Sequence, residues 1–212
     1  MTPLRQGFGG QALKPTGHLI AFEGLDQSGK QTQAERLLAA FRAGGRRAEF
    51  LTFPEYTTAI GVEIGHALQG RRDYAPDTLQ LLYIANRFEF RFRISAWLGE
   101  GTMVVCDRYL ASSIAYGEAQ GVDPRWLSAI QQPLPQPALT VLLDIPPDAS
   151  LGRKQVARDK FERDLPLLGR VRESYLRQAA EGTGWVHLDG HQDKDAVSAA
   201  VLSAVRSQLG LL

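Results

Sequence analysis

Apolar residues along this chain follow two alternating rhythms. Short, nearly unbroken runs come at His18-Leu-Ile-Ala-Phe-Glu23, ending at Gly24, at Ala48 to Phe53, closed by Pro54, and at Met103-Val-Val-Cys106, ending at Asp107. Two more follow, Leu139-Thr-Val-Leu-Leu143, stopped by Pro146-Pro147, and Trp185 to Leu188. Each has the length and composition of a buried strand in a parallel sheet. Between them the spacing becomes that of one helix face. Ala34, Leu37, Leu38 and Phe41 recur within Gln31 to Ala43, which Gly44-Gly45 stops. A longer helical stretch runs from about Asp77 to Leu98, with Gly99 just beyond, and a closing helix covers Ala196 to Leu209. Strands alternating with helices predict an α/β fold with a five-stranded, mainly parallel sheet, in which ligands sit beyond the carboxyl ends of the strands. Residues 1–17, rich in Gly and Pro and without periodicity, read as a flexible leader, and residues 18–212 as one domain.

Composition narrows the function classes. The chain has 212 residues, 24 Lys+Arg against 23 Asp+Glu, a net charge of +1 and 44% hydrophobic residues. That excludes disorder as the main state and a polycation that grips nucleic acid by bulk charge. Cys106 is the only cysteine, so neither an intrachain disulfide nor a cysteine-rich metal site is available. No apolar run approaches the roughly 18 residues of a membrane span, and the start of the chain lacks a signal-peptide core. The cytoplasm is the expected compartment, with neither membrane nor nucleic acid as partner.

Chemistry enters at the strand ends. Gly24-Leu25-Asp26-Gln27-Ser28-Gly29-Lys30 fits G-x-x-x-x-G-K between a buried strand and an amphipathic helix. Glycines let such a loop fold back so that backbone N–H groups converge on phosphate oxygens, Lys30 adds a mobile cation, and the helix offers its positive N-terminus. A nucleoside triphosphate is the expected ligand of residues 24–32. One departure stands out: Gln31 follows Lys30 where the strict motif has Ser or Thr to hold Mg²⁺, and Thr32 comes one place late. A Gln31 carbonyl is a weak ligand, so Asp107, phosphates and water are expected to share the metal. A guanine switch is disfavoured, because its Asn-Lys-x-Asp motif needs an asparagine, and the only one, Asn86, precedes Arg87. At the end of the third strand, Asp107-Arg108-Tyr109 sets a carboxylate suited to Mg²⁺ or water beside a guanidinium that can fork onto phosphate oxygens.

Together with Gly24-Leu-Asp26, Phe53-Pro54, Leu82-Tyr83-Ile-Ala-Asn-Arg87, Asp107-Arg-Tyr-Leu-Ala-Ser112, Ala115-Tyr116 and Leu134-Pro-Gln-Pro137, these motifs resemble the thymidylate kinase family from Leu19 to the C-terminal helix. The resemblance implies a three-layer P-loop fold and transfer of a phosphoryl group from ATP, with Mg²⁺, to thymidine 5′-monophosphate (dTMP). It implies that Tyr83 stacks on thymine and that Arg87, on the same helix face, donates to its O4. Asp26 would lie near the sugar 3′-hydroxyl, Tyr116 where a ribose 2′-hydroxyl would clash, and Arg108 between the monophosphate and the transferred group. Phe53, Ser112 and Glu162 count among the substrate-binding positions. By spacing alone, Tyr83 and Arg87 equally suit a core aromatic with a snorkelling arginine. Three positions depart from the family pattern: Glu55-Tyr56 lacks the Arg that often follows Phe-Pro, Gly117 replaces a common Gln, and Ala138 a common Asp.

From about residue 150 to 164 the chain is dense in cations, among them Arg153, Lys154, Arg158, Lys160 and Arg163. A charge run is most often a solvated face, but this one corresponds to the family's lid, a helical and loop segment that closes over ATP. The phosphate loop itself has no arginine, so Arg153 or Arg158 would supply the compensating charge. Catalysis is expected to rest on Lys30, Asp107, Arg108 and these lid arginines. The family also implies a homodimer, with the Asp77–Leu98 stretch and the helix near Ser112 as interface. Two other readings stay open on sequence: a kinase for another deoxynucleotide or nucleoside, and a nucleotide-binding regulator without catalysis.

Overall fold

The structure is a computed structural model that describes the backbone of residues 17–153 and 164–212, and the side chains of all of these except 151–153. The five expected strands are β1 (Leu19–Glu23), β2 (Ala48–Thr52), β3 (Met103–Asp107), β4 (Leu139–Asp144) and β5 (Trp185–Asp189). They form one parallel sheet in the order β2-β3-β1-β4-β5. β1 sits centrally because all five of its residues are apolar or internally bonded and fully buried. The chain leaves β1 for the far edge at β2, returns to β3, and only then builds β4 on the other side. The order therefore reverses at β1, where the carboxyl ends open a crevice.

Side-chain alternation along the strands makes the three layers. Ile20, Phe22, Val105 and Val141 face one way and pack on Ala34, Leu37 and Phe41 of α1 (Lys30–Ala43) and Val197, Val201 and Val205 of α9 (Lys194–Leu209). Ala21, Val104 and Cys106 face the other way, towards Phe90 and Ile94 at α4 (Arg91–Gly99). On that same face Leu142 packs with Ala111 and Ala115 of α5 (Leu110–Glu118) and with Leu168 and Val171 of α8 (Leu165–Glu181). Alternate strand residues reach opposite helical layers, as the pleat dictates. Cys106 lies in this core, where burial pushes its thiol pKa well up, so it is an inert packing residue.

The long stretch expected over Asp77–Leu98 is two helices, α3 (Pro76–Phe88) and α4, with a break at Glu89 and Phe90. Phe90 N–H bonds back to the Arg87 carbonyl at 3.0 Å, three residues away, which tightens the turn. The Phe90 ring is thereby driven inward to meet Phe53 edge-on, with centroids 5.7 Å apart. Periodicity could not reveal the break because the backbone stays near the helical region at both residues. Three further helices lay outside the sequence reading, α2 (Ala59–Leu68), α6 (Pro124–Gln131) and α8, while α5 is the expected helix near Ser112 and α7 (Pro147–Arg153) begins the expected lid. Residues 1–16 of the expected leader and 154–163 of the lid lie outside the described residues. Gly17 is buried and donates its N–H to the Leu98 carbonyl at 2.9 Å.

Candidate active site

Residues 24–29 turn tightly between β1 and α1. Gly24 has φ +138°, and a Cβ there would stand 2.3 Å from the Leu143 carbonyl, so only glycine lets the loop pass this close to β4. Gln27 and Gly29 also have positive φ. Leu25 is buried against Ala111 and Ile145 and anchors the loop in the core. Ser28 is buried, with its hydroxyl unpartnered among the described residues. No side chain caps α1 at Gly29, so its first N–H groups are available to an anion. Lys30 is buried and donates from Nζ to the Leu25 carbonyl at 2.7 Å, which holds the ammonium against the loop. Burial, then the nearby Arg108 cation, lower its pKa to about 8.

Arg108 is the centre of the arrangement. It follows β3 with φ +62°, a rare conformation for a residue with a side chain and one that clusters at functional sites. Its Nη2 donates to Asp26 Oδ1 at 2.7 Å, and its Nη1 to the Gly24 carbonyl, Ser112 Oγ and Tyr175 Oη, each at 3.2 Å. Its guanidinium also lies 5.3 Å from the Tyr116 ring centroid. Burial alone would raise the Asp26 pKa, but Arg108, Lys30 and the Tyr116 hydroxyl hold the carboxyl well below the usual carboxylate range. Behind this pair stands Glu23, fully buried at the end of β1. Its Oε1 accepts from the Tyr109 and Ser112 amides at 2.8 and 3.3 Å, and its Oε2 from Ser112 Oγ at 2.6 Å and Tyr175 Oη at 3.2 Å. Glu23 and Tyr175 are thus supports that the sequence reading missed. Their only signal was a carboxylate inside an otherwise apolar strand.

From Arg108 a cavity of about 420 Å³ extends beneath α3. Asp26, Gln31, Asp107 and Arg108 line its phosphate end, Ser112 and Tyr116 line it beside them, bonded to Arg108 and Asp26, and Phe53, Tyr83, Arg87 and Ser113 complete the lining. Arg87 is almost fully buried; it donates to Ser113 Oγ at 2.7 Å, and its guanidinium lies 5.9 Å from the Phe53 ring centroid. The alternative of a snorkelling arginine does not hold, since a snorkelling head group would be in water. Tyr116 Oη donates to Asp26 Oδ2 at 3.3 Å. Every sequence-derived position among 26, 53, 83, 87, 107, 108, 112 and 116 therefore lines one space. Thr32 does not: it is exposed on α1 and outside the cavity lining. The Gln31 amide donates to Glu35 Oε1 at 2.9 Å.

Asp107 fits the metal role. One of its oxygens, Oδ1, is buried without a partner among the described residues, at the phosphate end of the cavity. No cluster of three or more His, Cys, Asp or Glu occurs among the described residues. One carboxylate with phosphate oxygens and water is a donor set that Mg²⁺ accepts and that more demanding metals do not. Arg158 and Glu162 lie outside the described residues, as does the side chain of Arg153 at the end of α7. α7 is tied to the phosphate loop, since Ser150 Oγ donates to the Asp26 carbonyl at 2.7 Å.

Glu55, where an Arg is common, serves the loop itself. Its Oε1 accepts from the Thr57 amide at 3.0 Å, and its own N–H donates to Asn86 Oδ1 at 2.7 Å. Asn86 is fully buried and also donates to the Glu55 carbonyl, Thr58 Oγ1 and Glu89 Oε2. It pins the segment carrying Pro54 and Tyr56 to α3, a role visible only once the two elements are brought together.

Comparison with known proteins agrees with this geometry. The sequence profile of thymidylate kinase matches residues 22–201. The chain is 31% identical over 198 residues to a thymidylate kinase of Arabidopsis thaliana, covering 93% of this chain and 74% of that protein. It is 33% identical over 187 residues to one of Homo sapiens, covering 85% and 86%. Among solved structures, thymidylate kinase from Candida albicans superposes with a TM-score of 0.77 at 26% identity, covering 90% of this chain and 92% of that one. With a phosphate loop, an Asp-Arg pair and an aromatic-lined cavity in one crevice, and a profile match over most of its length, the chain belongs to the thymidylate kinase family.

Proposed function

We propose that the two ends of the crevice divide the labour of phosphorylating dTMP with ATP: the loop of residues 24–32 holds the triphosphate, and the cavity under α3 holds the monophosphate nucleotide. Tyr83 offers an aromatic face to the base, Arg87 donates to its 4-oxo group, and Tyr116 with Asp26 bounds the sugar. Arg108, held at the junction by five hydrogen bonds, lies between acceptor phosphate and transferred group. That placement carries the reading, because a forked cation touching both the phosphate loop and the sugar-side tyrosine is what in-line transfer between two nucleotides requires.

The acceptor is an ionised phosphate, so no strong general base is needed; positioning and charge neutralisation supply the rate. Lys30 and Arg108 provide charge from the described site, and Arg153 and Arg158 from the lid. Asp107 and Gln31 would hold Mg²⁺, Asp107 directly or through water, and the metal neutralises phosphate charge when bound. Lys30→Ala lowers kcat by about a hundredfold or more with the fold intact; unchanged turnover in an ADP-release assay would refute the role. Across a panel of thymine, uracil, cytosine and guanine deoxynucleoside monophosphates, Arg87→Ala harms the 4-oxo substrates, thymine first and uracil with it, more than cytosine. Equal losses on all bases would make Arg87 structural. ATP binding without monophosphate-dependent ADP release would favour the regulator instead.

The unit of function is a homodimer formed through α3, α4 and their surroundings, where Val62, Leu81 and Phe92 are exposed, and its site of action is the cytoplasm. Among the described residues no helix is long and apolar enough to cross a membrane.

A further inference from the structure

One buried polar group in the cavity has no part in the scheme above. Gln80 lies on α3 three residues before Tyr83 and seven before Arg87, so all three share one stripe of the helix. It lines the same cavity and is only 1% exposed, yet its Nε2 has no hydrogen-bond partner among the described residues. Leaving a buried amide donor unpaired is costly, and a leucine of similar size would be free of that cost. The space for its stem exists because position 117 is glycine: a Cβ there would stand 3.1 Å from Gln80 Cγ and 2.4 Å from Leu127 Cδ1. Gln80 is therefore seated against Gly117, on the α3 stripe that also carries Tyr83 and Arg87.

We infer that Gln80 is a specificity-determining residue whose carboxamide pairs with the imide edge of the base. This rests on the reading that the pyrimidine lies on Tyr83. A primary amide carries one donor group and one acceptor, and the imide edge of thymine or uracil presents the complement, an N3–H beside a carbonyl. With Arg87 assigned to the 4-oxo group, N3–H and the 2-oxo group remain for Gln80. Cytosine offers two acceptors there, N3 and O2, and the amide can satisfy only one of them. Arg87 selects at one corner of the ring and Gln80 along the adjoining edge.

The test uses Gln80→Met and Gln80→Leu in the full chain, with steady-state kinetics on dTMP, dUMP and dCMP and thermal melting with and without dTMP. KM for dTMP should rise about tenfold with kcat little changed, as for loss of one buried hydrogen bond to the substrate. The preference for dTMP and dUMP over dCMP should shrink. The free variants should melt at or above the parent temperature, because an unpaired buried amide has been removed, and dTMP should raise their melting temperature less. A merely structural glutamine would give the opposite: lower melting of the free protein with KM and base preference unaltered, which overturns the inference. Tyr83→Leu and Arg87→Ala, measured alongside, separate two failures. If they weaken dTMP binding while the Gln80 variants do not, only the role of Gln80 falls. If none of the four does, the placement of the base falls with it.

Discussion

At the scale of single residues, Lys30 shows how burial and charge set a working range. Its ammonium is buried beside Arg108, and both effects depress its pKa to about 8 from an ordinary 10.5. The unfolded chain therefore binds more protons at this group between those two values, and its contribution to stability rises with pH across that window; below it, the buried cation is carried at a cost. A triphosphate reverses the balance, since its negative charge favours the ammonium. ATP binding near pH 8.5 should accordingly draw a proton from solution, seen as a buffer-dependent binding enthalpy in calorimetry, and KM for ATP should climb from pH 7 to 9. Lys30→Arg, which stays charged, should abolish the proton uptake; uptake that persists would assign it elsewhere. The sequence exposed Lys30, Asp107 and Arg108 because a short motif at a strand end carries its own chemistry. It hid Glu23, Tyr175 and Gln80, whose roles arise from which strand or helix they face.

At the scale of elements, the break between α3 and α4 and the Asn86 clasp decide where the cavity floor lies. Asn86 makes three hydrogen bonds that tie the segment after β2 to α3, two of them to the backbone of Glu55 at 2.7 and 3.2 Å and one to Thr58 Oγ1, and a fourth to Glu89 at the end of α3. Asn86→Ala would leave the Glu55 N–H without its partner and the Glu55 carbonyl with only the Thr58 hydroxyl at 3.3 Å, and should destabilise the protein by about 2 kcal/mol, within the range for an orphaned buried group. Because Pro54 and Tyr56 line the cavity, KM for dTMP should rise more than KM for ATP. Denaturant melts with kinetics on both substrates check this, and an equal rise for both would place the clasp outside the monophosphate site. Strands and the first helix were legible because each has one strong period and a clear stop, such as Gly44-Gly45 or Pro54. α5 was expected near Ser112 from the family resemblance and not from periodicity, since small and polar residues dominate Leu110–Glu118. Its buried face is made of Ala111, Ser112 and Ala115, which periodicity in large apolar side chains does not detect.

At the scale of the whole molecule, the sheet and its two helical layers form a rigid base, and function is concentrated on one rim where β1, β2 and β3 end. The elements at that rim that are not covered by the described chain present large apolar groups: Phe92 on α4 is 74% exposed, and Val62 and Leu81 on α2 and α3 nearly half. Arg91 lies 4.3 Å over the Phe92 ring, so the pair offers an aromatic face with a cationic lip. A second copy of the chain covering α3 and α4 would bury this surface and, through α3, stiffen the helix that carries Gln80, Tyr83 and Arg87. Light scattering should find twice the chain mass for the parent and the single-chain mass for Phe92→Glu, whose carboxylate would have to leave water to enter an apolar interface. The monomer should keep its α/β circular dichroism, because Phe92 contributes nothing to the core. Its KM for dTMP should rise, since α3 would lose its external support, while KM for ATP should hold, the phosphate loop lying between β1 and α1. A Phe92→Glu variant that remains dimeric would move the interface to another face, and one that becomes monomeric with both constants unchanged would sever assembly from the α3 stripe.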